Sequence, residues 1–91
     1  MKPEDAIIPG IYNLTVFPEK GGKRWAYYIT RPNGKGTGAS VELFKSERGA
    51  IGRALRAIRA ESFACPCEVQ VHRTERTEDG YIVIESTLRL V

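Results

Sequence analysis

The chain predicts an α+β domain, with three strands, one amphipathic helix and then two more strands, and three observations carry that order. Apolar and polar residues alternate before Phe44, the hydrophobic period lengthens to about 3.6 between Ser46 and Ala60, and alternation returns from Cys65 to the end. A length of 91 residues suits one domain with a modest core, and 42% apolar with 27% charged residues is ordinary globular composition.

Residues 1–9 hold two prolines and mixed charges without a period, so they read as an N-terminal arm and 10–91 as a single domain. Ile11 to Phe17 alternates, with Tyr12, Leu14 and Val16 on one face, as a half-buried strand does. Pro18-Glu19-Lys20-Gly21-Gly22-Lys23 supplies turn chemistry, and the aromatic and β-branched run from Trp25 to Thr30 makes the second strand. Asn33-Gly34 is a strong hairpin signal because both residues tolerate positive φ. A third strand is therefore expected at about Ala39 to Phe44.

Ser46 offers an N-cap hydroxyl and Glu47 suits the positive end of a helix dipole. At about 100° per residue, Ala50, Ile51, Ala54, Leu55 and Ile58 share one stripe, while Arg48, Arg53, Arg56 and Arg59 spread over the other side. Cys65 to Arg76 then alternates as a fourth strand, with Cys67, Val69 and Val71 opposite Glu68, Gln70 and His72. After a turn at Glu78-Asp79-Gly80, Ile82, Ile84, Leu88 and Leu90 fall on one side of the last strand. Short links between strands point to an antiparallel five-stranded sheet with the helix packed on it, order βββαββ. The alternative is an OB-like barrel, disfavoured because the short first strand has no internal glycine to relieve a sharp bend.

The chemistry-bearing inventory is thin. His72 has no visible orienting partner and is expected to be solvated, so no catalytic residue is assigned and the chain is expected not to be an enzyme. Cys65 and Cys67 are one residue apart, too close to close a useful loop and too few for a four-coordinate site; reduced, structural thiols are expected, with no metal and no cofactor. Lys35-Gly36-Thr37-Gly38 lacks the spacing and following helix of a nucleotide loop. No apolar run reaches the length of a membrane span and no secretory leader is visible, so no membrane partner and a cytoplasmic location are expected.

Charge distribution is more informative than net charge. The net +3 conceals ten Lys or Arg against two acids from Lys20 to Arg59, a local +8, and −5 over the rest. Such asymmetry favours an anionic partner, either nucleic acid or an acidic protein surface. The candidate contacts are Lys20, Lys23, Arg24, Tyr28, Arg31, Lys35, Arg48, Arg53, Arg56 and Arg59. Tyr28 is included because alternation leaves it on the outer face while Trp25 and Tyr27 point to the core. Two functions fit: a nucleic-acid-binding accessory protein, or a protein-binding inhibitor of a nucleic-acid machine, such as a phage-encoded anti-CRISPR or other anti-defence protein.

Overall fold

In the computed structural model, described for every residue except Val41, Ala64 and Cys65 and for the backbone alone of Thr37, Gly38 and Ala39, alternation and helical period become strands and helix in the expected order. The strands are β1 (Tyr12–Pro18), β2 (Trp25–Thr30), β3 (Gly36–Ala39), β4 (Glu68–Thr77) and β5 (Gly80–Leu90). The helix α1 spans Glu47–Glu61, between β3 and β4. Four long strands, β1, β2, β4 and β5, make a mixed sheet, and the short β3 extends it beside β2. The order is β3-β2-β1-β4-β5 in an open sheet, not a barrel.

The antiparallel expectation fails at the centre, where β1 and β4 run parallel, with Tyr12 beside Val69 and Leu14 beside Val71. The cause is the helical crossover. Two hairpins leave β3 running with β1, α1 carries the chain back to the end where β1 began, and β4 must then leave in the direction of β1. Short links govern only the hairpins β1–β2, β2–β3 and β4–β5, which are antiparallel.

β3 also lies earlier than the sequence suggests, at Gly36–Ala39 rather than Ala39 to Phe44. Ser40 explains its early end. Its N–H donates to the Tyr27 carbonyl at 2.9 Å, but its hydroxyl takes the Tyr27 N–H at 3.2 Å, replacing the backbone carbonyl that a continuing ladder would supply. Pairing resumes at Trp25 and Phe44, which exchange backbone bonds of 2.9 Å.

The Ser46 side chain accepts the Gly49 N–H at 3.0 Å and caps the helix. Ala50, Ile51, Ala54 and Ile58 are buried against Leu14, Val16, Ile29, Val69 and Val71. Trp25, Tyr27 and Phe44 border this core, with the Tyr27 and Phe44 rings stacked 5.9 Å apart. Cys67 is a free, half-buried thiol at the same border, whereas Cys65 lies outside the described residues.

β5 departs from simple alternation. Arg73 faces Glu85 but Thr74 faces Val83, so Ile84 is an extra, bulged residue and Ile82 turns to the face opposite Leu88 and Leu90. The apolar side expected on this strand is therefore split, and all four of these residues remain exposed.

Residues 1–9 lie over the sheet face that α1 does not cover. A 3-10 turn at Pro3–Ala6 sits there, and the Met1 carbonyl accepts the Val83 N–H at 2.9 Å.

Two substitutions test this packing in opposite directions. Ile58→Ala, which hollows the centre of the helix–sheet contact, should cost about 2–5 kcal/mol. Gly52→Ala places a methyl group in open space on the helix exterior and should stabilise by roughly 0.5–1 kcal/mol. Urea denaturation of the three proteins measures both.

Candidate functional site

The helix that buries one stripe necessarily shows the other, and here that other stripe is cationic. Arg48, Arg53, Arg56 and Arg59 are all exposed, with Gly49, Gly52, Ala57 and Ala60 exposed between them. The only acids on α1, Glu47 and Glu61, are drawn away from this stripe to the sheet. Glu47 accepts from Arg73 at 2.6 Å and Glu61 from Arg31 at 2.8 Å. Arg73 also lies 3.5 Å from Glu85, and these carboxylates hold its guanidinium pKa above the ordinary value, led by the hydrogen bond to Glu47. Among the described residues Arg48, Arg53 and Arg56 enter no ion pair.

The remaining predicted contacts extend this stripe unequally. Lys20, Lys23 and Arg24 are exposed in the β1–β2 turn, where Gly21 and Gly22 have the positive φ that the turn requires. The Trp25–Phe44 bridge holds the approach to α1 beside this turn, so the three cations lie at the Arg48 end. Lys35 is exposed in the β2–β3 turn at the opposite end, near the C-terminus of α1. Arg31 belongs to that end too, but its guanidinium is committed to Glu61.

Tyr28 does not join them. It pairs with Thr15 on the sheet face opposite the helix, with its phenol lying over Gly36, where a side chain would collide with it. The sheet thus separates this ring from the helical arginines, and one ligand surface does not combine them.

His72 is the main departure from expectation, being 1% exposed rather than solvated. It shares the face of the central strands turned away from α1 with Asn13, Thr15 and Thr74, all buried, and the N-terminal arm closes over that face. The Asn13 amide nitrogen donates to the carbonyls of Ile8 at 2.7 Å and Ile11 at 3.1 Å. Its oxygen accepts the Ile8 N–H at 3.0 Å and faces His72 Nε2 at 2.9 Å. Nε2 must therefore carry the proton, and Nδ1 accepts the Ser86 hydroxyl at 2.8 Å. With both ring nitrogens engaged in a buried cluster, His72 ties the arm to the sheet rather than facing a ligand. Sequence alternation had one usable sign of this cluster: Asn13, Thr15, His72 and Thr74 have matching parity on two neighbouring strands.

Comparison with known protein families, with curated proteins and with solved structures finds no match to this chain. No helix of the described residues is long and apolar enough to cross a membrane.

Burial holds the His72 pKa below its ordinary 6.5 by disfavouring the imidazolium. The unfolded chain, with an unshifted histidine, then binds more protons, so stability should fall as pH drops through about 6.5 toward the folded-state value. Thermal unfolding at pH 7.5 and 5.5 should show that loss in the wild type and a smaller one in His72→Gln.

Proposed function

We propose that this protein is a non-enzymatic nucleic-acid-binding accessory domain whose contact surface is the outer face of α1 together with the β1–β2 turn. One observation carries the reading: both acids of the helix are paired with arginines outside it, Arg31 and Arg73, so that Arg48, Arg53 and Arg56 form a cationic stripe with no acid of their own helix paired to them. At about 1.5 Å per residue, Arg48 to Arg59 spans about 16 Å, comparable to about five phosphates along one strand of a duplex. The small residues between the arginines leave room for a sugar–phosphate backbone to approach.

The chemistry favours phosphate contact over base reading. Guanidinium groups pair with phosphates in forked geometry, and the intervening glycines and alanines offer no side-chain donors or acceptors for base edges. Affinity should therefore be salt-dependent and tolerant of sequence.

Titration of single- and double-stranded oligonucleotides of unrelated sequence at several salt concentrations tests this. Joint reversal, Arg53→Glu with Arg56→Glu, should weaken binding to all sequences alike and reduce the log–log salt slope by about two. The same charge change at Lys2 and Arg76, away from the stripe, should have a much smaller effect. Equal loss from both double reversals, or none from the first, rejects the helical surface.

A further inference from the structure

β5 ends the sheet, and among the described residues no strand lies beside its far edge. The backbone groups that point outward follow from the bonds at its end. Cys67 and Val91 exchange both backbone hydrogen bonds, at 2.8 and 3.0 Å, which makes them a bonded pair of the antiparallel ladder. Bonded pairs alternate with unbonded ones. The register Val69–Arg89, Val71–Thr87 and Arg73–Glu85 therefore bonds inward, and the N–H and C=O groups of Ser86, Leu88 and Leu90 point outward. Toward the start of the strand, the bulge at Ile84 interrupts the ladder and the Met1 carbonyl occupies the Val83 N–H. The open edge thus runs from Ile84 to Leu90, and its midpoint is Thr87.

Around that midpoint the sequence is complementary to its own reverse. Glu85 and Arg89 are equidistant from Thr87 and opposite in charge, Ile84 and Leu90 are both apolar, and Val83 mirrors Val91. Within its own sheet Arg89 faces Val69, and among the described residues it enters no ion pair. Leu88 and Leu90, on the other face of the strand, are 54% and 69% exposed. A long edge with exposed apolar residues and neither proline nor lysine is a template for another strand.

We propose that β5 pairs antiparallel with β5 of a second copy of this chain, Thr87 opposite Thr87, joining two sheets into one. In this register Glu85 faces Arg89 of the second copy, twice by symmetry, and Ile84 faces Leu90. Ser86 and Leu88 exchange backbone bonds with Leu88 and Ser86 across the two-fold axis. Glu85 and Arg89 fall in unbonded pairs, where side chains approach most closely. The charged row then continues Glu47–Arg73–Glu85 into the neighbour's Arg89. The axis stands perpendicular to the sheet, so both α1 helices lie on one face of the joined sheet.

Sedimentation velocity over a wide concentration range, without nucleic acid, tests the pairing independently of the proposed function. The wild type should show a concentration-dependent dimer. Glu85→Arg alone, or Arg89→Glu alone, sets like charges opposite each other and should weaken the dimer at least about tenfold. An equimolar mixture of the two variants should recover the dimer, because each then meets opposite charge at both positions. That recovery also shows that both variants are folded. A wild type that stays monomeric throughout, a dimer unaffected by either reversal, or a mixture that fails to recover it overturns the proposal.

Discussion

Burial of one stripe of α1 against β1, β2 and β4 is the contact on which the rest of the molecule depends. Ala50, Ile51, Ala54 and Ile58 meet the inner residues of the central strands, and among the described residues no other helix or strand covers that face. Burying an isoleucine contributes roughly 1.5–3 kcal/mol. Two of them therefore outweigh the roughly 1 kcal/mol that Gly52 costs in the helix interior. The same crossover returns the chain to the start of β1. It thereby makes β4 parallel to β1, puts β1 at the centre and leaves β5 at an edge.

The second face of the sheet is organised by polar satisfaction rather than by apolar packing. Asn13, Thr15, His72 and Thr74 would be costly there without partners, at about 1–3 kcal/mol for each unpaired group. Among the described residues no buried side-chain polar atom lacks a hydrogen bond. Thr74 bonds the Val16 carbonyl at 2.6 Å, and the backbone of Ile8 satisfies Asn13. The N-terminal arm thus works as the cover of a polar layer. Its place is fixed by directional bonds, where α1 is fixed by shape and hydrophobicity.

What could be read from the sequence follows the same division. The helix, its Ser46 cap and its buried stripe were legible because periodicity and capping are local properties. So was the outward direction of Tyr28, since parity within a strand is local too. The parallel pairing was not legible, because it depends on where the crossover delivers the chain. His72 was misread for a related reason: alternation gives the face on which a residue lies, but not whether a remote segment covers that face. The bulge at Ile84 likewise has no glycine or proline to announce it. It appears only as a mismatch between two strands. Of the candidate contacts, the helical arginines and the β1–β2 turn come to neighbouring positions, while Arg31 is spent on Glu61 and Tyr28 lies behind the sheet.

The ion pairs themselves matter more for where charge is left than for stability. Arg31–Glu61 and Arg73–Glu47 are partly exposed, a setting in which such pairs contribute roughly 0–1 kcal/mol. Their larger consequence is to remove both helical acids from the field of the outer arginines. Strand order then turns a division along the sequence into one in space. Because the sheet runs β3-β2-β1-β4-β5, the basic segment from Lys20 to Arg59 builds one side and its covering helix, whereas Glu68, Glu75, Glu78, Asp79 and Glu85 lie with β4 and β5 on the other. The asymmetry therefore survives folding instead of averaging out, and it leaves the helix side of the molecule the more positive of the two.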